Sequence, residues 1–217
     1  MDIEISKFEL FEMIKRQLFN LFVFSEDEAP VLEQSVEAAL EKCATCFEGS
    51  SNKYYRKDGV VYFNPFHSGQ YSIFLYYLSR QVFLVSKGCN TLSDRIYYLN
   101  KCLNGLDLYY EVEMPSVFFL DHPVGSVMGR AVYGERFSFS QNCTVGNNKG
   151  IFPVFGENVA MKSGAKVLGK CVVGDNVIFS ANSYVKDTDI PGGTIVFGSS
   201  PDLVIKRASE DYFVRKG

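Results

Sequence analysis

From Val127 to Val185 an apolar residue returns at every sixth position. The first run is Val127, Tyr133, Phe139 and Val145, and the second is Phe155, Met161, Val167, Val173, Phe179 and Val185. All ten sites are apolar, and the phase slips once, by four residues, between Val145 and Phe155. A period of six matches neither an amphipathic helix at 3.6 residues nor a strand at 2. It matches a triangular coil with three short strands per turn, six residues to each, and one inward apolar side chain per corner. That frame predicts a parallel β-helix of hexapeptide repeats.

Gly, Asn, Asp and Ser are frequent from about 115 to 205, and they supply the tight corners and positive φ angles such a coil requires. Gly134, Gly146, Gly156 and Gly174 each follow a corner residue directly. The phase slip holds Asn147-Asn-Lys-Gly150, read as a loop leaving the coil. Ile190 to Gly217 reads as a closing tail that caps the open end.

The first half has helical spacing. Phe8, Phe11, Ile14, Leu18 and Leu21 follow one buried face. Ser25-Glu-Asp-Glu28 reads as a capping box opening a second helix, with Pro30 in its first turn. Val36, Ala39, Leu40, Cys43 and Phe47 continue that helix, and Gly49-Ser-Ser-Asn52 breaks it. Lys57 to Phe63 reads as a short hairpin or an extended link. Two more helices are expected at about 68–86 and 92–104, with Gly88 and Gly105 as stops. The fold class is thus α+β: a helical domain over 1–112, the β-helix over 113–205, and a tail over 206–217.

The chain has 217 residues, 47% of them hydrophobic, enough for a substantial core. A net charge of −3 gives no electrostatic footprint for nucleic acid. The start, MDIEISKFEL, does not read as a signal peptide, and no run reaches about 18 uninterrupted apolar residues. A cytoplasmic protein without membrane insertion is expected. Its six cysteines should then be reduced. Cys43-Ala-Thr-Cys46 looks like half a metal site, but no second pair completes it, so buried small side chains are the better reading and no metal is expected. Cys143 and Cys171 fall four residues after a corner residue, where packing wants something small.

There are two histidines, His67 and His122. Histidine suits general-base work because its unperturbed pKa lies near neutrality. His122 lies in Leu120-Asp-His-Pro-Val-Gly125, just before the hexads, whereas His67 reads as a helix-start or surface residue. Leu120-Asp121-His122-x-x-Gly125, Val127-Met-Gly129, and Gln141-Asn-x-Thr-Val-Gly146 together resemble the serine acetyltransferase family of hexapeptide-repeat acyltransferases. The likeness continues through Ser163 to Gly169 and Ile178 to Ser183, and ends at Ser199 to Ile205. It implies a left-handed coil, against the usual right-handed crossover rule. It also implies O-acetyl transfer from acetyl-CoA, with His122 as the base and Asp121 or Glu113 as its carboxylate partner. Such a carboxylate fixes the ring tautomer and stabilises the imidazolium.

The resemblance implies a homotrimer, alone or paired into a hexamer, with coenzyme A in the cleft between neighbouring coils. The matching residues are Gly146, Ser163, Ala165, Ser180, Ala181 and Ser183, whose backbone would line the pantetheine arm. Lys166, Lys186, Lys206 and Arg207 are candidates for the phosphates, while Leu203 stands where the family has a basic residue. Two departures concern the acceptor. Ile151 and Phe152 replace the family's Arg-His pair before Pro153, and Asn64-Pro65 replaces its Asp-Pro. A zwitterion needs charged partners, so these losses favour a sugar hydroxyl, on a nucleotide sugar or a glycan for a surface polysaccharide. Tyr133, Asn142 and Phe152 are the acceptor-binding candidates. The alternatives are L-serine O-acetylation and a non-catalytic trimeric scaffold. A γ-carbonic anhydrase, with three histidines per site, does not fit one histidine in the coil.

Overall fold

A computed structural model describes residues 1–86 and 90–214. The expected helix stop at Gly88, and Cys89, lie outside the described residues. The chain divides into two compact units, Met1–Asn104 with Tyr109–Glu111, and Gly105–Leu108 with Val112–Gly217.

The helical unit runs β1 (Asp2–Ile3), α1 (Lys7–Leu21), α2 (Ala29–Glu48), β2 (Arg56–Lys57), β3 (Val60–Phe63), α3 (Ser68–Val85) and α4 (Thr91–Asn104). The Ser25 to Glu28 box forms, with the Ser25 amide donating to Glu28 Oε2 at 3.0 Å, and leads into α2 with Pro30 in its first turn. Val36, Ala39, Leu40, Cys43 and Phe47 are all buried, as the spacing predicts. In α1 the buried row is instead Leu10, Ile14 and Leu18. Phe8 and Leu21 are 72% and 52% exposed. The helix carries two apolar rows, and periodicity alone does not say which one packs. The 57–63 segment is a hairpin: β2 pairs antiparallel with β3, and Asp58 and Gly59 take φ of 50° and 81°, the left-handed pair of a two-residue hairpin turn. Strand β1 extends this sheet in parallel. Helix α3 is buried continuously from Gly69 to Ser79 and forms the unit's centre. Among the described residues no helix is long and apolar enough to cross a membrane.

The coil follows as β4 (Asp107–Leu108), β5 (Phe118–Asp121), β6 (Val127–Met128), β7 (Phe137–Ser140), β8 (Thr144–Gly146), β9 (Val154–Phe155) and β10 (Val159–Met161). It continues as β11 (Lys166–Leu168), β12 (Val172–Val173), β13 (Val177–Phe179), β14 (Tyr184–Lys186), β15 (Thr194–Ser199) and β16 (Asp202–Arg207). These strands make three parallel walls. The first stacks β5, β7, β10, β13 and β15. The second stacks β4, β6, β8, β11 and β14. The third is β9 on β12, extended by bridges at Val132 and Ile190.

Each wall sends an apolar column inward: Leu120, Phe139, Met161, Phe179 and Val196; Leu108, Met128, Val145, Val167 and Val185; Tyr133, Phe155, Val173 and Ile190. The first wall adds a second buried column, Phe118, Phe137, Val159 and Val177, where the hexad frame predicts one inward side chain per corner. Nine of the ten hexad residues are therefore buried, and Val127 is the exception at 42% exposure. Met128 pairs in register with Val145 and takes its place inside. The phase thus slips a second time, by one residue, before Tyr133.

Strand β4 joins the second wall ahead of the expected start at 113. Two strand residues are too few to carry a period. At the far end, β16 crosses the expected boundary between the β-helix at 205 and the tail at 206, and runs antiparallel to β15. Cys143 and Cys171 are buried packing residues, 0% and 1% exposed. The corner glycines answer a different need from the one expected. Gly134, Gly156 and Gly174 lack positive φ, and each is pressed against backbone of the next coil.

Candidate active site

His122 sits where the first wall turns into the second. Asp121 is in register with Ser140. Beyond it, the Asn142 amide donates to the Val124 carbonyl at 3.0 Å, and the Asn142 side chain lies over Gly125. The first coil therefore spends four steps of chain, Asp121 to Gly125, where the second spends two, Ser140 to Asn142. The excess forms a bulge that carries His122 and Pro123 away from the coil. His122 takes φ of 50°, and its carbonyl accepts the Val124 amide at 2.8 Å. The ring projects, its side chain 88% exposed. Below the bulge, the fully buried Ser126 hydroxyl donates to the Ser140 carbonyl at 2.7 Å and accepts from the Cys143 amide at 3.1 Å. Sequence reasoning missed Ser126. Its signal was its place two residues before Met128, the place Cys143 holds before Val145.

Of the two carboxylates expected beside the base, Asp121 places Oδ1 3.6 Å from His122 Nε2. That is ion-pair range, longer than a hydrogen bond. Glu113 is exposed in the segment leading to β5. With Asp121 78% exposed as well, solvent screens the pair in an isolated chain.

Ser163, Ser180 and Ala181 occupy the same vertex in the later coils and are at least partly exposed. Gly146, Lys166 and Lys186 follow on the second wall, Gly146 and Lys186 in register with Leu168, and Lys166 with Thr144 and Tyr184. Lys166 and Lys186 are exposed cations, the former donating to the Gly164 carbonyl at 3.0 Å. Two expected cofactor contacts need correction. Ala165 and Ser183 are 0% and 1% exposed and face the coil interior. Their backbone groups already serve the coil: Ala165 accepts from Thr144 and donates to Lys162, and Ser183 accepts from Lys166 and donates to Ser180. Lys206 lies on β16, its Nζ 5.8 Å from the Phe197 ring centre.

The acceptor candidates also separate. Tyr133 belongs to the core at 8% exposure, stacked on Phe155, its hydroxyl donating to the Gly129 carbonyl at 2.6 Å. It has no face for a ligand. Asn142 is a corner residue with φ of 57° that buttresses the His122 bulge. Phe152 remains available at 37% exposure, beside Ile151 at 49%. Both lie where the second wall turns into the third, a different vertex from that of His122. In the helical unit, Asn64 Oδ1 accepts the Phe66 amide at 2.8 Å, and His67 caps α3 through Nδ1 to the Gln70 amide at 3.3 Å. Both therefore serve the helix start. Cys43 and Cys46 are buried, and burial pushes the Cys43 thiol well up. Among the described residues no three His, Cys, Asp or Glu gather as metal ligands.

No family model matches the chain. A serine acetyltransferase of Helicobacter pylori is 26% identical over 166 residues, covering 70% of this chain and 96% of that protein. One from Synechococcus elongatus is 32% identical over 116 residues, 51% of this chain and 47% of its own. Among solved structures, Vibrio cholerae serine acetyltransferase superposes with a TM-score of 0.69 at 20% identity, covering 94% of this chain and 81% of that one. A serine acetyltransferase in complex with CoA gives 0.63 at 19%, covering 82% and 75%. The chain is a hexapeptide-repeat protein that resembles the serine acetyltransferases. These solved structures share its fold, and the Helicobacter relative is matched over nearly its whole length.

Proposed function

We propose that the chain is an acetyl-CoA-dependent O-acetyltransferase with His122 as general base and L-serine as acceptor. The observation that carries this reading is the two-residue bulge that presents His122, beside Asp121, outside the coil. The neutral imidazole takes the proton of the acceptor hydroxyl as its oxygen attacks the thioester carbonyl. The imidazolium then returns that proton to the departing thiolate, so no charge accumulates over the cycle. Asp121 orients the ring and favours the transient imidazolium. Ser163, Ser180, Ala181 and Gly146 form a strip of small residues for the pantetheine arm, and Lys166 and Lys186 serve the phosphates, with Lys206 as an outlying cation.

His122 and Phe152 stand at different vertices, so a site that uses both is built from two chains. A homotrimer of cytoplasmic subunits satisfies this and would enclose the exposed His122–Asp121 pair, where the interaction strengthens. The likeness over nearly all of the Helicobacter relative favours serine as acceptor. The exposed Ile151 and Phe152, in place of a polar pair, favour a second reading, a sugar hydroxyl.

Release of CoA thiol from acetyl-CoA decides between them. With L-serine we expect release that falls roughly a hundred- to ten-thousand-fold in His122→Ala. Release only with sugars or nucleotide sugars, again lost in the variant, would replace serine by the second reading. Absence of release with every acceptor, and of acetyl-CoA binding, would leave a non-catalytic scaffold.

A further inference from the structure

The chain that leaves the coil after β8 is tied down by one carboxylate. Asn147–Gly150 turns back on itself, with Asn148 and Ile151 exchanging both backbone hydrogen bonds at 3.1 and 3.0 Å. The Asn148 side chain donates from Nδ2 to Asp187 Oδ2 at 2.5 Å, across 39 residues. The other oxygen of Asp187 accepts the Lys170 amide at 2.9 Å. Asp187 thus bonds the two preceding coils at once, from a backbone with φ of 48°. Between them lies Gly169, where a Cβ would collide with both Asp187 Oδ1 and Asn148 Cβ. The hydrogen bonds hold the Asp187 carboxyl below the usual range, the Lys170 amide contributing most.

We propose that Asp187, through Asn148, is a positioning residue that fixes the loop carrying Ile151 and Phe152 for acceptor binding. This rests on the proposed function, which gives that loop to the acceptor. Neither hydrogen bond of the tether is made to His122 or to a residue assigned to acetyl-CoA, although Asn148 comes two residues after Gly146 and Asp187 directly follows Lys186. Losing it therefore changes how the acceptor is held, not the proton transfer.

The test is an exchange of the two side chains. Asn148→Asp sets two carboxylates face to face. Asn148→Asp with Asp187→Asn restores one donor and one acceptor, and asparagine tolerates the left-handed backbone at 187. In Asn148→Asp we expect the acceptor KM to rise about tenfold, with kcat and the acetyl-CoA KM little changed, and the double variant to return to within about twofold of wild type. Hydrogen exchange at the Ile151 amide should speed up in the single variant and slow again in the double. An unchanged acceptor KM in Asn148→Asp, or no recovery in the double variant, overturns the proposal. So does a parallel change in both KM values, kcat and melting temperature, which marks a structural role. If wild type transfers acetyl to no acceptor, the proposed function falls and the positioning role with it, while the exchange rates still show whether the tether holds the loop.

Discussion

A hydrogen atom on Gly125 decides where His122 stands. Gly125 has φ of 76°, and the Asn142 side chain fills the space a Cβ would take. The four-step corner closes only because both conditions are met, and the closed corner pushes His122 outward. Gly125→Ala should therefore cost about 1–2 kcal/mol of stability as the strain of a left-handed alanine, with the collision against Asn142 added to it. It should cost more in turnover, up to about a hundredfold, because displacing a base by about an ångström is that expensive. Adding Asn142→Gly removes the collision and leaves the strain, so part of the rate should return. Acetyl-transfer rates and thermal melts on the two variants read this directly. Full activity in Gly125→Ala would show that the bulge does not depend on its glycine.

At the level of the element, four glycines that look alike along the chain differ in the coil. Gly134, Gly146, Gly156 and Gly174 each follow a corner residue. A Cβ on Gly156 would lie 2.8 Å from the Gly174 carbonyl carbon and 2.9 Å from the Asp175 amide, and backbone has nowhere to go. A Cβ on Gly146 would meet only the tip of Leu168, at 3.1 Å. We expect Gly156→Ala to destabilise the coil by about 1–3 kcal/mol and Gly146→Ala to be nearly neutral. Denaturant titrations followed by circular dichroism separate the two, and equal losses would refute the distinction. The same contrast explains what was legible. The walls could be read because one inward side chain recurs at a fixed step. The reason for each glycine could not, because it lies in the coil above, about 18 residues away in sequence. The His122 bulge hid for the same cause: Val127 fits the period, yet pairing places Met128 inside. Tyr133, an acceptor candidate by sequence, is also a hexad residue, and its place in the period is what decides its burial. In α1 two apolar rows competed, and only packing chose Leu10, Ile14 and Leu18.

Among the described residues the helical unit buries more cysteines and tyrosines than the coil, and alkali should tell the two apart. In the helical unit, burial raises the Cys43 thiol, with Cys46 adding to it. Burial also raises the Tyr71 hydroxyl, partly offset by its bond to Gln17. Tyr77 is raised by burial and then by Cys46 and Cys43. In the coil, Cys143 and Cys171 are raised by burial, but backbone hydrogen bonds pull each back. An acid whose folded pKa is raised holds its proton more tightly in the native state. Its contribution is complete below the unfolded pKa, about 8.5 for cysteine and 10 for tyrosine, and is lost as pH climbs from there towards the folded value. Between about pH 8 and pH 11 the helical unit should therefore lose stability faster than the coil. Thermal melts followed separately by helical and strand circular-dichroism bands would show the helical transition falling first. Cys43→Ala removes one of the titrating groups, so its melting temperature should start slightly lower and decline less steeply with pH. Equal decline of both bands, or an unchanged slope in Cys43→Ala, would mean that these buried acids do not set the alkaline limit.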